Sequence, residues 1–147
     1  MTRYKHTQIG HTIIWGVLAM AAFAAITGIF SQRGLGAALI AEVILLICAV
    51  FFSKLTVQIE NGSLQWSFGI GLIQKQVLIF EIAACEAIQI PWWYGWGIHL
   101  TPYGWLYNVS GLHAVAITLR NGRKFALGTD DPQGLADAIE RSSHASG

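Results

Sequence analysis

Thr12–Phe30, TIIWGVLAMAAFAAITGIF, and its sequel Gly36–Phe52, GAALIAEVILLICAVFF, decide the architecture of this chain. At about 1.5 Å of rise per residue, the first run reaches about 28 Å as a helix, close to a hydrocarbon core of about 30 Å. It contains no charged side chain, and the second run, though it carries Glu42, is otherwise strongly apolar. Two spanning helices are expected, over about 12–30 and 36–53. Ser31-Gln32-Arg33-Gly34-Leu35 is long enough only for a tight connection, so the two flanks of this hairpin lie on one side of the bilayer. Arg3 and Lys5 before the hairpin and Lys54 after it outweigh the single Arg33 in the loop, which places both termini in the cytoplasm. A cleaved signal peptide with Ala22-Phe23-Ala24 near its cut site is the rival reading, but the apolar run continues through Ile29 and Phe30.

Within the hairpin, Ala21, Ala24, Ala25 and Gly28 supply small-xxx-small spacings that permit close helix approach, either inside the hairpin or between copies. Glu42 is the one intramembrane carboxylate. It either serves a proton, ion or intersubunit contact, or it reaches the headgroups or a neighbour such as Thr27. Cys48 falls in a span and Cys85 in the region beyond, which gives neither a disulfide nor a metal-ligand spacing.

Outward from the hairpin the period changes to two. Leu55, Val57 and Ile59 alternate with polar residues, Asn61-Gly62 intervenes, and Leu64, Trp66 and Phe68 alternate again, a strong β-hairpin signature. Val115, Ile117 and Leu119 repeat the pattern before Asn121-Gly122, followed by Phe125 and Leu127. Gln76–Phe80, Ile82–Ile90, Gly97–Leu100 and Trp105–Val109 read as further strands, the last two joined at Thr101-Pro102-Tyr103-Gly104, for about seven strands in all. Asp130-Asp131-Pro132 opens a helix over about 132–141 with Leu135, Ala138 and Ile139 on one face, and Thr129 stands ready to help cap it. The expected layout is a lead-in at 1–11, the hairpin at 12–53, a β-domain at 54–141 and a disordered tail at 142–147. Strands followed by one helix describe a small antiparallel barrel or bent sandwich plugged by that helix.

Trp96-Gly97-Ile98-His99, Gly104-Trp105-Leu106-Tyr107-Asn108-Val109-Ser110-Gly111 and Gly128-Thr129-Asp130-Asp131-Pro132 carry a resemblance that covers essentially the whole chain. The sequence resembles small bacterial membrane proteins in which a two-helix transmembrane hairpin precedes a bacterial pleckstrin-homology-like domain. That resemblance implies a PH-like seven-stranded antiparallel barrel or sandwich with a C-terminal capping helix, a place in the bacterial inner membrane, and no enzymatic activity. Relatives often carry arginine where His99 stands here.

Trp92, Trp93, Tyr94, Trp96, Tyr103, Trp105 and Tyr107 crowd one segment among Gly95, Gly97 and Gly104, and they are the candidate interaction surface together with His99 and Asn108. Trp92 and Trp93 follow a proline and fit no alternation, so they are expected in a loop that touches the membrane or a partner, whereas Trp105 and Tyr107 read as core. Asn108 and Ser110 read as a turn that bonds its own backbone. Asp130 and Asp131 are explained by the helix start, and Arg120, Arg123 and Lys124 by an exposed hairpin tip. Neither His99 nor His113 has ligands at metal spacing, no glycine-rich phosphate loop is present, and no nucleophile has a base partner. Charges after residue 54 nearly cancel, which argues against nucleic acid. The expectation is a non-enzymatic membrane protein without cofactor or metal. Its domain is a protein-interaction or scaffolding module at the cytoplasmic face, with the bilayer, a membrane or cytosolic protein, and a second copy as candidate partners. A lipid-headgroup sensor, and an enzyme or transport subunit using Glu42, are the alternatives.

Overall fold

Both apolar runs are helices in the computed structural model, which describes residues 4–31 and 34–145. α1 spans His11–Phe30 and α2 spans Leu35–Phe52, and each is long and apolar enough to cross a bilayer. Neither has a polar face: Trp15, Phe23, Ile29, Phe30, Ile44 and Leu46 all point outward. The helices meet along small residues. Gly28 is buried, and a Cβ there would stand 2.9 Å from that of Ala38, so this contact tolerates nothing larger. Ala21 and Ala24 lie on the same partly covered row, whereas Ala25 is exposed. Arg3 and Arg33, on which the expected orientation rests, lie outside the described residues.

The hairpin does not precede the β-domain; it is inserted in it. The expected lead-in contains strand β1, Tyr4–Ile9, which pairs antiparallel with β2, Lys54–Glu60, so that Ile9 faces Lys54 across the hairpin root. The ladder ends where Gly10 N donates to Ser53 O at 2.7 Å, and a side chain at Gly10 would strike Phe52 O at 2.5 Å. Tyr4, His6 and Gln8 form the inward set of β1, and three polar-tipped residues do not announce a buried face.

β2 continues into β3, Ser63–Phe68, through a turn in which both Asn61 (φ 52°) and Gly62 (φ 75°) are left-handed, the type I′ geometry that the Asn-Gly pair favours. β4, Ile73–Leu78, completes a four-stranded antiparallel sheet in the order β1-β2-β3-β4. It begins and ends earlier than the expected 76–80, because Ile79–Glu81 coil into a 3-10 turn that buries Ile79.

The second sheet holds β5 (Ile82–Gln89), β6 (Gly97–Thr101), β7 (Gly104–Asn108), β8 (His113–Leu119) and β9 (Lys124–Gly128), in the order β5-β8-β9-β7-β6. This corrects the expected all-antiparallel set of about seven strands. Nine strands are found among the described residues, and β7 runs parallel to β9, with Trp105 opposite Phe125 and Tyr107 opposite Leu127. The parallel pair depends on close backbone approach: Gly104 has φ 87°, and a Cβ there would lie 1.9 Å from Lys124 O.

Between the sheets Trp66 stacks on Phe125 at 4.9 Å and meets Tyr107 edge-on at 5.4 Å. Phe68 contacts Phe52 at 5.5 Å, so the last turn of α2 joins this core directly. α3, Pro132–Ala145, closes the remaining side with Leu135, Ala138 and Ile139, of which Leu135 and Ile139 each contribute about 1.5–3 kcal/mol when fully buried. The helix outruns its expected end at 141 and absorbs most of the expected disordered tail. Ser142 extends the buried stripe and donates Oγ to Ala138 O at 2.8 Å, which keeps a polar residue compatible with burial; 146–147 lie outside the described residues.

Candidate functional site

Pro91 sets the aromatic segment apart from β5. Its φ of −61° leads into a 3-10 turn over Trp92–Tyr94, closed by Tyr94 N to Pro91 O at 3.1 Å and Gly95 N to Trp92 O at 3.2 Å. Trp92 and Trp93, placed outside the strands in this turn, are 69% and 67% exposed and meet edge-to-face at 6.0 Å. Trp93 holds Tyr94 at a right angle at 6.3 Å, and Tyr94 packs on a small cluster of Ile90, Leu106, Ala114 and Ala126 on the outer face of the second sheet. Trp96 is half-buried and donates Nε1 to Gly111 O at 3.3 Å, while the exposed His99 ring contacts Trp96 O.

The remaining candidates do not join this turn. Tyr103 is exposed at the β6–β7 tip, and Trp105 sits opposite Leu100 and is 50% exposed, which corrects its assignment to the core. Trp105 keeps the inward phase of β7 but lies near the strand end, where the facing sheet no longer covers it. Tyr107, two residues on and 6% exposed, is core as expected; burial raises its phenol pKa, opposed by Arg123. Asn108 is fully buried. Its Oδ1 accepts from Ser110 N and its Nδ2 donates to Gly111 O, both at 3.3 Å, so it bonds its own turn.

The strand end that leads into the Trp92–Tyr94 turn is tied to the loop that bonds the hairpin root. Ile90 N donates to Leu112 O at 2.8 Å, and two residues earlier Ser110 takes bonds from both sides of the root. Gln8 Nε2 donates to Ser110 O at 2.8 Å, and Thr12 Oγ1 pairs with Ser110 Oγ at 3.1 Å. Across the root, the β3–β4 turn presses on the end of α2: Gly69 has φ 52°, and a Cβ there would lie 2.3 Å from Val50 O. That turn presents Ile70 and Leu72 to the outside, as β1 presents Ile9. The root end of the β-domain therefore carries exposed apolar side chains from that turn and from the end of β1.

Asp131 and Asp130 act as structure, with one addition that the sequence hid. Asp131 Oδ1 accepts Gly134 N at 3.1 Å and Thr129 Oγ1 accepts Asp131 N at 3.1 Å, a capping arrangement for α3. Tyr4 OH also donates to Asp131 Oδ2 at 3.3 Å, and the His6 ring contacts Asp130. The carboxylate pair thus fastens β1 to the start of α3. Burial first, then the charge and hydrogen bond of Asp131 and the charge of Asp130, push the Tyr4 phenol well above its ordinary range.

Elsewhere, Arg120 donates Nε to Phe80 O at 2.6 Å, while Arg123 and Lys124 remain exposed at the β8–β9 tip. Glu42 is partly covered on α2, and the Thr27 hydroxyl bonds Phe23 O and Ala24 O of its own helix rather than Glu42. Both cysteines are free; Cys85 is half-buried with its thiol pKa raised by burial and then by Glu140 and Asp137. Among the described residues no cluster of three or more His, Cys, Asp or Glu could hold a metal ion. A feature without any sequence signal is the outer face of the four-stranded sheet, a polar cleft of about 710 Å³ flanked by Lys5 and Lys54 and edged by Lys75. No family model matches the chain, and no curated protein is found to be similar to it.

Proposed function

We propose that this chain is an integral protein of the bacterial inner membrane whose β-domain, of the pleckstrin-homology-like kind, is a non-enzymatic module for protein interaction or complex scaffolding at the cytoplasmic face. The observation that carries the reading is the continuous β1–β2 ladder on either side of the hairpin. A domain fused in this way has no tether, so it stays at the headgroup layer with its root-end loops toward the lipid. Trp92 and Trp93 leave their faces exposed, and paired tryptophans offer a large contact area with little loss of side-chain freedom. Lys54 at the root and Lys5 farther along β1 agree with a cytoplasmic domain under the positive-inside rule.

The test is gentle purification of full-length protein in its native lipid, beside the double variant Trp92→Ser/Trp93→Ser. A partner bound at near-stoichiometric amounts to the wild type and lost from a variant with unchanged circular dichroism is the expected result. Identical partners on both proteins would remove the tryptophan turn from the interaction, and lipid alone on both would end the scaffold reading.

A further inference from the structure

We propose that the outer face of the four-stranded sheet is a binding site for the phosphate of an anionic lipid headgroup. Strand register assembles it. One row across the sheet reads Lys5, Gln58, Gln65, Gln76, and the next, nearer the hairpin root, reads Thr7, Thr56, Ser67, Gln74. Lys54 closes the root side as the first residue of β2, whereas Lys75 stands opposite Trp66 in the inward phase of the edge strand and borders the cleft only from that edge. Among the described residues the lining contains three lysines, a floor of amide and hydroxyl groups, and no carboxylate; Glu60 continues the same face of β2 beyond Gln58. Among the described residues none of the three lysines forms an ion pair. Lys5 and Lys54 on this face, with Lys75 at its edge, surround neutral donors and form a field suited to a phosphate.

Position selects the lipid as its source. Lys54 follows α2 after a single residue, and Ile70 on the cleft rim belongs to the turn that touches the last carbonyls of α2. Four residues of β2 separate Lys54 from Gln58, about 13 Å at strand rise, so the cleft runs from the root to roughly a headgroup's depth beyond it. The choice of lipid rests on the hairpin lying in a bilayer; the charge field does not.

Full-length protein in nanodiscs of phosphatidylcholine, alone or with phosphatidylglycerol, tests the proposal through the side-chain amide resonances of Gln58, Gln65, Gln74 and Gln76. These resonances should shift with phosphatidylglycerol. K5Q/K54Q/K75Q should weaken the response at least about tenfold, since each lysine near an anionic surface is worth roughly fivefold in affinity. R123Q/K124Q, at the β8–β9 tip, should leave it intact. Absent shifts, or equal losses in the two variants, would overturn the site. Glycerol phosphate added to phosphatidylcholine discs should produce no comparable shift, and one of equal affinity would overturn the lipid assignment. A protein that enters the discs without cleft shifts defeats the site alone, whereas one that stays soluble without lipid defeats the bilayer reading itself.

Discussion

The hairpin and the β-domain use the same apolar residue types and place them oppositely. Phe23, Ile29 and Leu46 point outward from α1 and α2, while Phe68, Ile59 and Leu64 point inward from the sheets. In the domain, apolar burial creates an interior that excludes water. In the hairpin there is almost no interior, and the two helices approach closely where Gly28 meets Ala38. One chain thus carries two opposite placements of apolar residues, and the boundary between them is a single level, the root at Gly10 and Ser53.

The largest expected effect separates the two halves by one truncation in each. Phe68→Ala should cost the β-domain about 3–5 kcal/mol in denaturant unfolding, since it empties a site shared with Phe52 and Tyr107. Phe23→Ala, on the outer surface of α1, should leave that same transition within about 0.5 kcal/mol, and a larger change would mean that the hairpin surface supports the domain after all.

Next is the boundary. Gly69→Ala demands a left-handed alanine and drives a Cβ against the carbonyls of Val50 and Phe51, with an expected loss of about 1–3 kcal/mol from backbone strain alone. The accompanying sign is a changed distance between spin labels at Leu46 and Gln133, because the turn must withdraw from α2. An unchanged distance would show that the root is looser than its contacts imply.

Tyr4→Phe gives a smaller effect, about 0.5–1.5 kcal/mol from one hydrogen bond to Asp131. It also has a pH signature. The folded-state pKa of Tyr4 lies above its unfolded value of about 10, so its contribution is complete below about pH 10 and is lost as pH rises further. Wild-type stability should fall more steeply than that of the variant above that point, and parallel curves would show that β1 is not held by this bond. The smallest effect belongs to Trp92→Ser/Trp93→Ser, within about 0.5 kcal/mol in the same unfolding measurement, because both rings are exposed. A larger loss would reclassify the turn as core.

What could be read from the sequence follows the range of the interactions involved. Asn61-Gly62 and Asn121-Gly122 write their hairpins into neighbouring residues, and Asp131-Pro132 does the same for α3. β1 was illegible because its partner lies beyond the entire helical hairpin, and because Tyr4, His6 and Gln8 are weak markers of a buried face. The parallel β7–β9 pairing depends on an approach at Gly104 to a residue from a different hairpin. Trp92 and Trp93 were legible as exposed from the proline before them, whereas Trp105 shares its alternation with core Tyr107 and differs only in what stands opposite. The lysine cleft depends on register among three strands, information that no local pattern carries.

The first ladder of the domain has a consequence for the order in which the molecule is made. The ribosome completes Tyr4–Ile9 before either helix, yet the strand that pairs with it emerges only after both. Until then β1 waits with both edges open. A helical pair that failed to turn back would leave Ile9 and Lys54 on opposite sides, and the four-stranded sheet could not close. With the hairpin in a bilayer, as proposed, completion of the sheet would proofread insertion of the helices, and chains with a misrouted helix should be the ones that quality-control proteases remove.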